Sequence, residues 1–420
     1  MARWARRCLL AAARQDRYRF AMLTAALIAF VIWAAMLLVW HGFWRADQRL
    51  PPSTPDDASD RPGVVAVIPA RNEAASIGAV VEAHGASNYT GSFAVVLVDD
   101  NSEDGTPEIA DAAKAAAGHP LHVITGAPLA AGWSGKLWAL EQGISAAERL
   151  YPEARYLLLT DADIVHAPDT LDRLVRLAED RGLALTSLMA RLAVGEGRWH
   201  WGRVLVPAYV FFFQKLYPFP AVNDPSSSIA GAAGGCMLVR RDALAAIGGI
   251  GSIRGALIDD CTLAAAIKGT SQGGERRSIW LGLSEGEVTS LRDTGAMATI
   301  WETVARTAFP QLQRSWWLLA GCTLGMALLY LAPPAAAIWG VLAGDAAAAL
   351  AGLAGWGLMA RAFWPTLSLY GGRIWEALTL PLVAVLYMLM TLDSARRDLL
   401  GKASPWKGRT YSAMNRGPRD

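Results

Sequence analysis

Residues 64–68 (VVAVI), 93–98 (FAVVLV) and 156–159 (YLLL) are almost wholly apolar; Pro69 is expected to stop the first run, and polar residues stop the other two. A strand with one wet face alternates in polarity, whereas an unbroken apolar run belongs to a strand buried on both faces, as in a parallel sheet. Residues 121–124 are a weaker copy of the pattern. Helical stretches lie between the runs: Thr106-Pro107 predicts an N-cap with proline in the first turn, and Ala167-Pro168-Asp169 opens a charged amphipathic helix that runs to Asp180. Strand and helix in alternation predict an α/β domain of right-handed βαβ units, whose ligands gather at the carboxyl ends of the strands.

The rest of the chain cannot fold in water in the same way. Residues 20–40 carry no charge and are long enough to cross a hydrocarbon layer as a helix. Residues 315–344 are again uncharged, with Pro333-Pro334 expected to divide the run or form its turn, and a further apolar stretch reaches Ala360. Residues 377–392 read as a tilted span or an interfacial helix, with Trp375 near one end. The expectation is a basic tail over 1–19, a membrane helix over 20–40, a Pro- and Asp-rich linker over 41–62 and a catalytic domain over 63–290. An interfacial amphipathic segment over 291–314, two or three membrane helices within 315–392 and a basic tail over 393–420 complete it.

The net charge of +2 gives no case for a nucleic-acid partner, because the basic residues gather at the termini beside apolar runs, where anionic lipid is the natural contact. Cys8, Cys236, Cys261 and Cys322 are scattered without a CxxC, which argues against a zinc site and for a reducing compartment.

Five polar clusters follow the predicted strands or open helices. Asp99 and Asp100 precede the loop Asn101 to Thr106; a carboxylate there can accept from a base imide or a ribose hydroxyl, or simply close an Asx-type turn. Asp161 and Asp163 flank Ala162, and on an extended backbone both point to one side and could face one divalent ion. Gly132-Trp133-Ser134-Gly135-Lys136 precedes a helix expected to begin near Leu137, offering free amides and a point charge to phosphate, or only a solvated lysine beside a cap. The Gly231–Cys236 loop (GAAGGC) is either a close-packed turn or a surface against which an acceptor lies. Asp259 and Asp260 head an apolar helix; one suffices for capping, and the second suits a general base for an alcohol. Arg292, Arg306 and Arg314 are interleaved with Trp301, Phe309, Trp316 and Trp317 before the second apolar run, and Arg306 is the one placed to clamp a diphosphate.

In order and spacing, Val67-Ile68-Pro69-Ala70-Arg71-Asn72-Glu73, Val98-Asp99-Asp100-Asn101-Ser102, Gly135-Lys136 and Asp161-Ala162-Asp163 resemble the family 2 glycosyltransferases. The resemblance implies a GT-A fold, Rossmann-like and built to bind nucleotide-diphospho-sugars, joined here to N- and C-terminal transmembrane helices. Gly234-Gly235-Cys236-Met237, Leu257-Ile258-Asp259-Asp260-Cys261, Arg306-Thr307-Ala308-Phe309 and Trp406-Lys407-Gly408-Arg409-Thr410-Tyr411 resemble the hopene-associated membrane glycosyltransferases, relatives of ceramide glucosyltransferase. By position, Pro69, Arg71, Glu73, Asp99 and Asp100 would hold the nucleotide, Lys136 and Asp161 the ribose-diphosphate, Asp163 with Asp161 a Mg2+ or Mn2+ ion, and Asp260 with Asp259 the base function. The family's Gln-x-x-Arg-Trp sequence is missing; Arg306 is the substitute, with Gln313 and Arg314 as a second choice.

The resemblance thus implies an inverting hexosyltransferase of the bacterial inner membrane, its catalytic domain in the cytoplasm, taking a UDP-sugar or similar donor to a membrane lipid such as a hopanoid. Rival readings are a polyprenyl-phosphate glycosyltransferase, a polysaccharide synthase and a non-catalytic nucleotide-sugar-binding scaffold. One conflict stands: Arg3, Arg6, Arg7, Arg14, Arg17 and Arg19 would hold the N-terminus inside and send the next domain out, unless the first segment is re-entrant or the charge bias is overridden.

Overall fold

The computed structural model describes residues 2–52, 61–114, 118–195 and 200–401. The motif at Trp406 to Tyr411, residues 402–420 of the predicted C-terminal tail and residues 53–60 of the predicted linker lie outside these residues, as do the side chains of the first sixteen. The chain opens with α1 (Ala2–Val39), followed by β1 (Val64–Ala70), α2 (Ile77–Gly85), β2 (Phe93–Asp99), α3 (Thr106–Ala113), β3 (Leu121–Thr125), α4 (Gly135–Leu150), β4 (Tyr156–Thr160) and β5 (Ile164–His166). Next come α5 (Thr170–Asp180), β6 (Leu185–Met189), α6 (Gly202–Leu216), α7 (Phe219–Val222), β7 (Cys236–Arg240), α8 (Arg241–Ala246) and α9 (Asp259–Lys268). A short hairpin, β8 (Ser271–Gln272) and β9 (Glu275–Arg276), precedes β10 (Ile279–Leu283) and β11 (Val288–Ser290); α10 (Met297–Gln311), α11 (Trp316–Met326), α12 (Ala332–Ala343), α13 (Ala346–Leu369) and α14 (Leu380–Leu399) close it.

Two compact units divide these elements. The sheet unit comprises residues 46–195 and 217–294, and its seven strands run in the order β10-β6-β7-β4-β1-β2-β3. Pairings β1 with β2, β1 with β4, β2 with β3 and β10 with β6 are parallel, while β7 lies antiparallel between β4 and β6. Every residue of β1, β2, β4 and β6 is buried, as the apolar runs require. Pro69 does not end the first strand, contrary to expectation: it stays in register with Val98, at a level where pairing to β4 has already ended at Val67 and no ladder donor is demanded. Helix α4 seats directly on the sheet because Gly143 has no side chain; a Cβ there would lie 2.4 Å from Val67 Cγ1 and 2.9 Å from Val98 Cγ2.

The second unit gathers α1, α6 and α10–α14. Residues 202–216, expected inside the catalytic domain, therefore belong with the apolar helices. Among the described residues, four helical segments are long and apolar enough to span a membrane: Arg17–Val39, Trp316–Ala343, Ala346–Leu369 and Ile374–Leu399. Helix α1 is continuous, so a re-entrant first segment is excluded. The Pro333-Pro334 pair neither breaks its run nor turns it: a π-helical turn over Ala327–Leu331 feeds into α12, whose first turn tolerates proline because those amides need no helical partner. The turn comes at Gly344, left-handed, followed by Asp345, which caps α13 through the amides of Ala347 and Ala348 and pairs with Arg19 at 2.6 Å. Helices α12 and α13 meet backbone to backbone at Gly340 and Gly352, where a Cβ would stand 2.4 Å from the Ala349 and Ala337 nitrogens respectively.

Candidate active site

The carboxyl ends of β1, β2 and β4 open into loops that bond to one another. After β1 and β2 the chain turns through Asn72 and Asn101, both at positive φ, a conformation asparagine tolerates better than most residues. Asn72 takes the amide of Glu103 at 2.9 Å and donates its own to the Ser102 hydroxyl at 2.9 Å. Glu73 donates its amide to Thr106 Oγ1 at 2.8 Å. Thr106 is therefore not the expected cap; Gly105 occupies that position and Thr106 ties the two loops.

The nucleotide residues expected from the sequence are thereby partly engaged. Arg71 donates to the carbonyls of Asp100 and Asn101, and its guanidinium stands 3.8 Å from the buried Asp100 carboxylate. Asp99 accepts from the Ser102 amide, so the bland Asx-type turn describes Asp99. Ser76 reaches across to the carbonyl of Ala162 at 2.9 Å and binds the β1 loop to the one after β4.

That second loop differs from the expectation. Residues 161–163 form a turn, closed by the Ile164 amide on the Asp161 carbonyl, so the alternation of an extended strand does not apply. Asp161 and Asp163 accordingly meet different cations. Asp161 pairs with Lys136 at 2.8 Å, and the same ammonium lies 3.1 Å from Asp259. Asp163 pairs with Arg292 at 3.2 Å and accepts from Ser290 Oγ at 3.1 Å. Arg292 is delivered by the small antiparallel sheet of β11 on β5, where Ser290 opposes Ile164 and the Leu291 amide donates to the Asp163 carbonyl.

Lys136 stands in the first turn of α4, which starts at Gly135 with Ser134 as its cap. Opposite it, α9 begins at Asp259. Asp260 accepts from the Gly234 amide at 2.9 Å and the Cys261 amide at 2.7 Å. Gly234 permits this closeness: a Cβ would sit 3.3 Å from Lys136 Nζ and 3.4 Å from Asp260 Oδ2. The glycine loop is thus the close-packed turn of the two readings, and its packing draws the base candidate toward the lysine.

The cluster Lys136, Asp161, Asp259 and Asp260 concentrates three carboxylates around one ammonium. Burial, then the charge of Asp259, push the Asp260 carboxyl up to about 6, against which Lys136 and the two amides act. Asp161 is raised too, by burial first, with Lys136 opposing and Asp163 adding. Lys136 is held charged by Asp161 and Asp259 in spite of its desolvation. A carboxyl poised near neutrality beside a fixed cation is suited to removing a proton from an alcohol.

Among the described residues no three His, Cys, Asp or Glu side chains converge as a metal cage. Two carboxylates, Asp161 and Asp163, are nevertheless hard oxygen donors of the kind Mg2+ and Mn2+ use, and such ions commonly take only one or two from protein and complete their shell with water and substrate phosphate. The donor set fits an ion brought to the site with a diphosphate.

Arg306 lies on α10, in the helical unit, where its charge acts on Glu302. Arg314 pairs with Asp398 at 3.1 Å. Of the three arginines grouped in the sequence, the one that the structure sets beside a site carboxylate is Arg292. Its sequence signal was shared with Arg306 and Arg314, and nothing in it favoured Arg292.

Residues 65–248 match the family model described as Glycosyl transferase family 2. The match runs from β1 past α8 and stops short of α9. A mannosyltransferase from Pyrobaculum calidifontis, solved in complex with GDP-Man and Mn2+, is similar to this chain with a TM-score of 0.50 and 19% identity, over 90% of this chain and 99% of that one. Glucosyl-3-phosphoglycerate synthase from Mycobacterium tuberculosis, solved with phosphoglyceric acid, gives a TM-score of 0.39 and 18% identity over 64% of this chain and 88% of its own. The same enzyme with Mg2+ and uridine-diphosphate gives 0.40 and 18%, over 63% and 85%. No curated protein matches the chain. The sheet unit has the GT-A fold, and residues 65–248, a little under half of the chain, match the family 2 glycosyltransferase model. The chain is an enzyme of the glycosyltransferase class.

Proposed function

We propose that the protein is a membrane-bound inverting glycosyltransferase that moves a hexose from a nucleoside-diphosphate sugar to the hydroxyl of a membrane lipid. The observation that carries this reading is Asp260, a carboxylate held by two backbone amides next to Lys136 and raised toward neutrality. In the reaction, Asp260 takes the acceptor hydroxyl's proton, the hydroxyl oxygen attacks C1, and the bond from C1 to the diphosphate breaks on the opposite face. Lys136 and Arg292 supply positive charge to the departing diphosphate, Arg292 taking the role expected of Arg306. Pro69, Arg71, Glu73 and Asp100 hold the nucleotide, while Asp99 keeps their loop closed. Asp163 with Asp161 would hold Mg2+ or Mn2+, which when bound neutralises charge on the diphosphate.

The reading puts the four candidate spans in a bacterial inner membrane with the sheet unit on the cytoplasmic side, where sugar nucleotides are made. This orientation requires the bias of the N-terminal arginines to be overridden; of these, Arg19 is paired with Asp345. Hopanoids are the first acceptor class to try, on the resemblance of the Gly234 and Asp260 segments. Detergent-purified protein incubated with a panel of nucleotide sugars, Mg2+ or Mn2+ and extracted bacterial lipids should give a lipid shifted in mass by one hexose. Binding of a nucleotide sugar without release of nucleoside diphosphate on addition of every lipid would make the protein a scaffold and overturn the proposal.

A further inference from the structure

Within the helical unit neither Lys215 nor Arg361 has a carboxylate partner among the described residues. Lys215, at the end of α6, directs its ammonium to the Tyr330 hydroxyl at 3.2 Å and lies over the rings of Tyr330 at 5.1 Å and Trp33 at 5.5 Å. Both rings are fully buried, and they meet edge to face with centroids 5.4 Å apart. Trp33 is itself anchored to the Leu329 carbonyl at 2.9 Å. Tyr330 belongs to the π-helical turn over Ala327–Leu331, the single π element among the described residues, and such turns recur at functional positions because they re-aim one side chain. Arg361, inside the span Ala346–Leu369, stacks on Trp44 at 4.3 Å, and Trp44 donates to the Leu37 carbonyl at 3.0 Å.

The depth of these groups is fixed by α1. Trp40, one residue past the helix, donates to the Lys215 carbonyl, and Trp33 lies seven residues earlier, about 10 Å of helix axis. Lys215 is therefore held beside the last two turns of the Arg17–Val39 span, toward that span's C-terminal end. The opposite end of that span differs, since its Arg19 is matched by Asp345. An ammonium in such a setting is costly unless an anion or aromatic faces complete its surroundings. The rings cover one side of Lys215, and the side chain keeps part of its surface open.

We propose that Lys215 binds the phosphate of a membrane lipid at the end of α1. Tyr330 orients the ammonium, and Trp33 and Tyr330 wall it from the acyl region. The phosphate is either that of a phospholipid headgroup or that of a polyprenyl monophosphate. Lipid binding here does not depend on the transfer reaction proposed above, and its test reads no turnover.

The full chain, purified in a neutral maltoside detergent, is analysed by native mass spectrometry with phosphatidylglycerol, farnesyl phosphate or uncharged diacylglycerol added in turn. The wild type should retain one phosphate-bearing lipid in preference to diacylglycerol. Lys215→Gln should weaken that retention by about five- to tenfold, Lys215→Arg should keep it, and Tyr330→Phe should weaken it less. Displacement of phosphatidylglycerol by farnesyl phosphate assigns the site to the monophosphate; its failure assigns it to the headgroup. Equal retention of diacylglycerol and phosphatidylglycerol by the wild type overturns the proposal without recourse to any variant. So does unchanged retention in Lys215→Gln, which leaves the lysine as a structural latch between α1 and α6.

Discussion

Replacing Asp260 with Asn should separate activity from stability in opposite directions. Asn preserves the shape but accepts from only one of the two amides, since Gly234 donates to Oδ2 and Cys261 to Oδ1, and it can take no proton from an acceptor hydroxyl. Loss of a general base costs about 10²- to 10⁴-fold in turnover. For stability, the folded carboxyl titrates near 6 against an ordinary 3.8. A group raised in this way contributes stability below pH 4 that is lost as pH climbs through 6, so the ionised form burdens the fold by at most about 3 kcal/mol at pH 8. Asn removes that burden. In metal-free detergent solution at pH 8, Asp260→Asn should melt up to about 8 °C above the wild type, the gap closing as pH falls from 6 to 4. Wild-type turnover should drop about fivefold between pH 6 and pH 5 as the base is protonated. A variant that retains turnover, or one that melts well below the wild type at pH 8, refutes the assignment of Asp260 as a strained, functional carboxylate.

Chelation with EDTA should abolish transfer and Mn2+ or Mg2+ should restore it, while Asp163→Ala should stay inactive at any metal concentration with its circular dichroism unchanged. Arg292→Ala should lower turnover by about 10²-fold or more, whereas Arg306→Ala should remain near wild type; steady-state kinetics with the reverse ranking would return the clamp to α10. Buried His84 and His166, stacked 4.8 Å apart, make the fold acid-sensitive. Burial lowers His84 from 6.5 to about 4, so stability present above pH 6.5 should fall by about 3 kcal/mol as pH drops to 4, and denaturant titrations of His84→Gln should show a shallower slope.

The strands of the sheet could be read directly from the chain. Unbroken apolar runs bury on both faces whatever surrounds them, so residues 64–68, 93–98 and 156–159 each fall within a buried strand. The start of α4 near Lys136 and the acidic head of α9 were legible for the same local reason, the demands of helix ends on side chains. The antiparallel insertion of β7, and the departure of α6 to the helical unit, carried no comparable local mark.

Residue types and chain order by themselves determined that acids and a lysine stand where strands end and helices begin, because apolar periodicity and capping act over a few residues. Which acid meets which cation was decided only when distant segments came together: Lys136 between Asp161 and Asp259, Arg292 on Asp163, Arg19 on Asp345. Ion pairs and desolvation depend on separations of a few ångströms between groups far apart in the chain, and those separations exist only in the folded molecule.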